Sequence, residues 1–462
     1  MSYKLEVVKA ACGAQLPTYR ATSRHLAALN PFSLESGIID PKTGLMIDGV
    51  PIGYFGPDRC GGYAAIDEFV LHQAGIIPDL NVKTFGIINN RKSSGEKIKI
   101  RRGVYFGRNH LVTDRKSHEY SRLAASIPGS RVLKFGEDAD HFINPLDPSM
   151  PMSVKHELLA AMALNAMNEV IRPKLTVLES TMLWECIIEA ENHRGPGSFF
   201  VPTLPTLVEK LSDPCERIVN KLAIPRDELL RDTRDLRLSF IRLVDGDLKG
   251  MFHKETTPGL FKAVPLLVLD CDGVRGEKAV VMITLINFFT LSRNAAASSD
   301  DDRFHVVVHD EAWDLATYPG FVDSIRTGFK LGRTKGFSNR IVAHHLSNLY
   351  RSGHTKAIED LVSDSSTSMI YKQDRKEIEA TADDLDLNDR EVERATKLQP
   401  GHCLCKFRGL PAIEIEYTAW PEELPLVETS DLVHGKTDLP RAKDLEPKTE
   451  VEEEAEVTEL VT

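Results

Sequence analysis

Residues Val306 to Trp313 (VVVHDEAW) join an apolar run to two adjacent carboxylates, Asp310 and Glu311. A strand ending in paired acids at the open edge of a parallel sheet suits phosphoryl transfer. The first acid can hold Mg2+, a hard cation that prefers oxygen ligands. The second can polarise a water for in-line attack on phosphorus. A blander role stays open, in which Asp310 caps the following helix.

The companion segment lies upstream, at Gly86 to Ser93 (GIINNRKS). A phosphate loop places glycine, four residues, then Gly-Lys-Ser/Thr at the start of a helix. Its backbone N–H groups and the helix N-terminus cradle phosphates. Gly86, Lys92 and Ser93 fall in that register, with Lys92 reaching phosphate oxygens and Ser93 sharing Mg2+ with Asp310. Asn89, Asn90, Arg91 and Ser94 complete the candidate nucleotide-binding set. Arg91 stands where the pattern has its second glycine. Glycine there allows a left-handed backbone and close approach to phosphate, whereas Asn89 and Asn90 tolerate such geometry better than arginine does. Alone, the segment also reads as a surface turn; the two segments together bracket a sheet in the order a nucleotide site needs.

The elements that must position these residues are legible around them. Lys83 to Ile88 reads as a short strand feeding the loop, Ser94 to Tyr105 as a helix closed near Gly107, and Asn109 to Thr113 as a strand ending at Asp114. Further strands are expected at Ala263–Leu269, Phe304–Val308, Arg340–Ala343 and Ser368–Tyr371, with an apolar helix over Lys278–Ser292. Buried strands alternating with helices predict an α/β fold with a mostly parallel sheet. Residues 152–248 differ: their apolar residues recur at helical spacing, with Pro202, Pro205 and Pro214 as breakers, and predict an all-helical insertion.

The resulting division is 1–80, a β-rich lead-in marked by turn residues; 81–151, the first part of the core; 152–255, the insertion; 256–425, the second part of the core; and 426–462, an acidic tail expected to be disordered. The 462 residues are enough for a full core. The formal charge of −11 is concentrated in the tail, where eight acidic residues against one lysine from Asp444 onward carry −7. The remaining balance neither favours nor excludes nucleic acid. Lys97, Lys99, Arg101, Arg102, Arg108, Arg115 and Lys116 form a basic run that reads either as a solvated helix face or as a contact for DNA phosphates.

Other chemistries find little support. No apolar run approaches the length of a membrane span, and the first fifteen residues hold no secretory apolar stretch. The seven cysteines show no CxxC pair and fit a reducing, cytoplasmic setting. Cys403 and Cys405 alternate along an expected strand, in a buried or edge position. No helix carries a histidine pair with metal-ligand spacing, and no nucleophile elbow supports Ser/His/Asp hydrolysis. Trp184 and Trp313 read as packing residues, and His344 with His345, without further context, as a polar strand end.

To about residue 425 the chain resembles the motor ATPases of conjugative type IV secretion systems, the TraC-like branch of the FtsK/HerA P-loop superfamily, in the form found on actinobacterial mobile elements. Beyond the two loops, Pro17–Leu26 resembles the family's lead-in, Val112–Lys116 the strand after the loop helix, and Asn144–Asp147 its NPLD-type motif. Val244–Phe252 is similar to the segment closing the helical insertion, Val308–Trp313 to the DEAW box, and Arg340–Leu349 to the sensor strand, where many members have glutamine and this chain has His344. The resemblance implies a RecA-like core, ATP hydrolysis with Mg2+, and a hexameric ring. It also implies membrane components of a secretion or conjugation apparatus as partners, work on DNA or protein, and a place at the cytoplasmic face of the membrane. It implies Glu311 as the catalytic carboxylate, His344 as γ-phosphate sensor and Arg333 acting on a neighbouring subunit's nucleotide. The departures are Arg91, a nearly absent N-terminal domain and the acidic tail. They keep two alternatives open: a degenerate structural or regulatory subunit with little ATPase activity, and a DNA translocase unrelated to secretion.

Overall fold

The computed structural model describes residues 38, 49–56, 62–114, 119–134, 141–167, 174–192, 201–246, 249, 252–258, 260, 264–270, 304–312, 325–326, 329, 336–350 and 355–427. The expected helix at Lys278–Ser292, Trp313, Arg333, the Pro17–Leu26 lead-in and most of the acidic tail lie outside them.

The chain enters through β1 (Pro51–Phe55), β2 (Tyr63–Ala65) and α1 (Glu68–Gln73), then runs β3 (Val82–Phe85), α2 (Lys92–Tyr105), β4 (Asn109–Asp114), α3 (Ser121–Ala125) and β5 (Arg131–Lys134). Six helices follow: α4 (Met152–Ala166), α5 (Val177–Asn192), α6 (Leu204–Ser212), α7 (Glu216–Leu222), α8 (Arg226–Asp232) and α9 (Arg234–Val244). The sheet resumes with β6 (Leu266–Asp270), β7 (His305–His309) and β8 (Phe337–Ala343). After α10 (Leu346–Tyr350) and α11 (Thr355–Ser363) come β9 (Thr367–Tyr371), α12 (Arg375–Thr381), α13 (Asp389–Lys397), β10 (His402–Phe407), β11 (Ile413–Tyr417) and α14 (Leu424–Val427).

The described strands form one eleven-stranded sheet in the order β2-β1-β11-β10-β9-β3-β8-β7-β4-β6-β5. The seven from β9 to β5 are parallel; the four at the other end are antiparallel. β8 and β7 stand between β3 and β4. The carboxyl ends of β3, β8 and β7 therefore lie side by side, and ligands of open α/β sheets bind at such ends.

Strand residues alternate between two apolar layers. Leu266, Val268, Val306, Val308 and Val342 pack with Ile100 of α2 and Leu123 of α3. Leu269 and Ile341 face the opposite way, into the layer built by α4–α9. Both faces of the parallel block are thus covered, which is why its strands read as apolar runs.

Four expectations are corrected. The first strand stops at Phe85 instead of reaching Ile88, and α2 starts at Lys92 instead of Ser94, because the loop between them bends through two left-handed residues. β8 starts three residues before Arg340, with Ser338, Asn339 and Arg340 all buried. These polar residues are paired inside: Arg340 and Ser338 bind Glu68 at 2.5 and 2.6 Å, and Arg340 also reaches Glu96 of α2 at 3.3 Å. Burial raises the Glu68 pKa, but Arg340 and Lys99 outweigh it and hold the carboxyl well below its ordinary range.

Most of the described basic run is not a solvated face, although Arg101 and Arg108 are half-buried. Lys97, Lys99 and Arg102 are buried. Lys97 pairs with Glu119 at 3.4 Å. Arg102 pairs with Glu423 at 2.6 Å beneath the Trp420 ring, and Arg108 pairs with Asp67 at 2.8 Å. Within the expected β-rich lead-in, β1 joins the sheet beside β11. Cys403 and Cys405 lie on the interior strand β10, where burial pushes the Cys405 thiol up to about 12. Trp184 rests on the surface of the helical block against His156.

Candidate functional site

The turn from β3 to α2 is closed over the sheet by its own backbone. Gly86 N–H donates to the His344 carbonyl and Ile87 N–H to that of Lys372, both at 3.0 Å. A Cβ on Gly86 would lie 2.5 Å from Tyr371 Cβ, so a side chain there would force two strands apart. Asn89 and Arg91 both take left-handed backbone, with φ of 64° and 62°. The Asn90 side-chain amide donates back to the Ile87 and Ile88 carbonyls at 3.3 and 3.1 Å. Gly95 lets the first turn of α2 settle on the Tyr371 hydroxyl, which a Cβ would meet at 2.2 Å.

Arg91 therefore holds the backbone that glycine would supply. The side chain is exposed and its Cδ lies beside Gly401, at the start of β10. A left-handed non-glycine residue costs about 1 kcal/mol, so the substitution strains the turn while keeping its path.

Lys92 folds into the loop, its ammonium donating to the Gly86 carbonyl at 2.5 Å and the Ile87 carbonyl at 3.1 Å. The same ammonium reaches His344 Nδ1 at 3.1 Å, and His344 Nε2 lies 3.2 Å from Glu311 Oε2. An ammonium only donates. Nδ1 must then accept, which puts the ring proton of a neutral His344 on Nε2, facing Glu311. Gln373 Nε2 donates to the His344 carbonyl at 3.0 Å and fixes the strand end.

Asp310 is buried at the end of β7 and accepts hydrogen bonds from both sides. The Tyr120 hydroxyl at 2.8 Å and the Ser93 hydroxyl at 3.3 Å meet Oδ2. The Glu311 N–H meets Oδ1 at 3.0 Å. Nearby, burial pushes the Asp114 carboxyl up to about 7, and burial drops His309 to about 4.

The fold thus gathers Gly86, Lys92, Ser93, Asp310, Glu311 and His344 at three adjacent strand ends. Asn89, Asn90 and Arg91 shape the turn. Ser94 does not join them, because its hydroxyl donates to the Val427 carbonyl at 2.9 Å. Arg333 lies outside the described residues. Tyr120, Tyr371 and Gln373 were not singled out in the sequence; none belongs to a pattern, and only the tertiary contacts reveal them. Ser93 and Asp310 present two hard oxygen donors to one space, a donor set suited to Mg2+, which takes few protein ligands alongside phosphate and water. Among the described residues no group of three His, Cys, Asp or Glu side chains is arranged to hold a metal ion.

No protein-family model and no curated protein matches the chain. Solved structures do. VirB4 of Thermoanaerobacter pseudethanolicus is similar at 17% identity and a TM-score of 0.60, over 84% of this chain and 100% of that one. The bacterial conjugative coupling protein TrwB, in complex with a non-hydrolysable ATP analogue, is similar at 10% identity and a TM-score of 0.54, over 88% and 96%. The same protein with ADP and Mg2+ gives 10% identity and a TM-score of 0.52, over 88% and 94%. The chain has the RecA-like P-loop NTPase fold of VirB4 and TrwB, with a large, mostly parallel sheet between layers of helices.

Proposed function

We propose that this chain is an ATP-hydrolysing motor that drives conjugative DNA transfer or type IV secretion. One observation carries the reading: the 86–93 loop and the Asp310–Glu311 pair face one another across adjacent strand ends, with Ser93 Oγ 3.3 Å from Asp310 Oδ2. Solved structures of this fold include VirB4 and TrwB, the latter with an ATP analogue and with ADP and Mg2+.

In this reading the 86–93 backbone and the N-terminus of α2 bind the phosphates of ATP. Lys92 exchanges the Gly86 and Ile87 carbonyls for β- and γ-phosphate oxygens. Ser93 and Asp310 would hold Mg2+, which would neutralise phosphate charge. Glu311 takes a proton from the attacking water as its oxygen bonds to the γ-phosphorus. The bond from that phosphorus to the ADP oxygen breaks, releasing ADP and phosphate. His344, already bridging Lys92 and Glu311, registers the γ-phosphate and frees the carboxylate.

The same reading assigns 81–151 and 256–425 to the motor core, 152–255 to a helical insertion, 1–80 to a lead-in and 426–462 to a tail. It gives Arg333 to a neighbouring subunit's nucleotide. The working form is a ring of like subunits, six in the resembled family, at the cytoplasmic face of a membrane-bound transfer apparatus. Among the described residues no helix is long and apolar enough to cross a membrane.

The test is Mg2+-dependent ATP hydrolysis by the purified chain beside Lys92→Ala and Glu311→Gln. Lys92→Ala should lose nucleotide binding, and Glu311→Gln should retain ATP without turning it over. Wild-type protein that neither binds nor hydrolyses ATP would end this reading.

A further inference from the structure

Asp310 is held by a side chain that the nucleotide loop does not supply. Tyr120 is wholly buried at the start of α3, packed in the layer of Val112, Leu123 and Val308. Its hydroxyl donates to Asp310 Oδ2 at 2.8 Å, while its own N–H donates to Asp114 Oδ2 at 2.9 Å. Lys97 Nζ sits 5.5 Å from the ring centroid. The ring is wholly buried and its backbone is tied to Asp114, so the hydroxyl has little room to follow the carboxylate if the carboxylate turns.

We infer that Tyr120 is a positioning residue that fixes the rotamer of Asp310 for divalent-cation binding, an inference that rests on the ATPase reading above. The other hydroxyl on Oδ2, that of Ser93, is itself a proposed metal ligand and would turn to the cation. Tyr120 then remains a side-chain donor on Oδ2, with the Glu311 N–H on Oδ1. Mg2+ demands near-ideal octahedral geometry, so a carboxylate free to rotate lowers its occupancy. Binding of the nucleotide phosphates to the loop backbone does not depend on that rotamer.

The experiment uses full-length protein and Tyr120→Phe, which removes one oxygen and keeps the ring. Three quantities are read: the Mg2+ concentration for half-maximal ATP hydrolysis, fluorescent ATP-analogue binding in EDTA, and the melting temperature. The expected result is a rise of about tenfold in the half-maximal Mg2+ concentration, the scale of one hydrogen bond to a charged group. Metal-free analogue binding stays at the wild-type value, and saturating Mg2+ restores most of the rate. An unchanged Mg2+ requirement in an active variant overturns the inference and leaves the ATPase reading standing. An equal loss of binding with and without metal also overturns it, because that marks a merely structural side chain. Wild-type protein without any Mg2+-dependent nucleotide binding overturns both. Tyr120→Met, a second side chain lacking a hydroxyl, answers the same question if the phenylalanine variant does not fold.

Discussion

His344 links Lys92 to Glu311: its Nδ1 stands 3.1 Å from the lysine ammonium and its Nε2 3.2 Å from the glutamate carboxylate. A residue at the end of the central strand β8 thereby connects the phosphate loop on β3 with the acids on β7. In this arrangement Glu311 is held by the ring, and on the proposed reading an arriving γ-phosphate would compete with His344 for Lys92 and with Glu311 for the ring.

His344→Ala should therefore lower the ATP turnover rate by about a hundredfold, the scale of one lost transition-state hydrogen-bonding group. Nucleotide affinity should change little, since the loop backbone and Lys92 remain. His344→Gln keeps an acceptor and a donor of similar reach and should recover much of the rate. Steady-state kinetics with parallel equilibrium binding reads both quantities. Equal loss in the two variants would show that imidazole itself is required.

Arg91→Gly should relieve the left-handed strain without reshaping the loop. The expected gain is about 0.5–1 kcal/mol in urea unfolding, set by the left-handed penalty less the added chain entropy of glycine. ATP turnover should stay within about threefold of wild type, since the backbone already follows the glycine path. A rate increase of a hundredfold or more would instead show a decayed phosphate loop.

Gly95→Ala would drive a methyl group against the Tyr371 hydroxyl, now 2.2 Å from where that Cβ would sit. A cost of about 2 kcal/mol is expected from this overpacking. In a Tyr371→Phe background the oxygen is gone, and the same substitution should cost much less. The double-mutant cycle by chemical denaturation reads the coupling; strict additivity would mean that α2 sits elsewhere on the sheet.

Lys83 gives a pH signature at the opposite end of the sheet. Its ammonium donates to the Val362 and Ser365 carbonyls at 2.9 and 2.6 Å. Burial and then Arg408 depress its pKa to about 7. With the folded value below the unfolded one, the unfolded chain binds more protons between those two values, so stability rises with pH across that window. The contribution is complete above the unfolded pKa and is lost as pH falls through the folded one. Between about pH 7.5 and 9.5 the wild type should gain on the order of 2 kcal/mol relative to Lys83→Met. Arg408 already reaches the same carbonyls, so the variant should fold, and parallel pH profiles of the two proteins would refute the assignment.

The site was legible where its chemistry is local. Asp310 and Glu311 follow a β-branched run, and Lys92 and Ser93 open a helix after a short apolar strand, so both loops are legible in the sequence. What escaped depends on distant partners. Ile87 and Ile88 extend the apolar run, yet Ile88 is 66% exposed, because the loop turns before it. Ser338, Asn339 and Arg340 look like solvent-facing residues but line the middle of the sheet, since Glu68 answers Arg340 from a separate helix. Arg102 belongs to a run of charges along the chain, while its partner Glu423 lies 321 residues away. Tyr120 carries no motif at all. The antiparallel extension of the sheet was equally hidden, because alternation along β1 says nothing about its pairing with β11.

The central claim is tested most directly by an experimental structure of the Glu311→Gln protein with ATP and Mg2+. The triphosphate should lie in the 86–93 turn, with the cation between Ser93 and Asp310 and Lys92 withdrawn from the Gly86 carbonyl onto phosphate oxygen. A triphosphate bound elsewhere, or a Lys92 still buried against Gly86 with the Arg91 side chain filling the phosphate space, would contradict it.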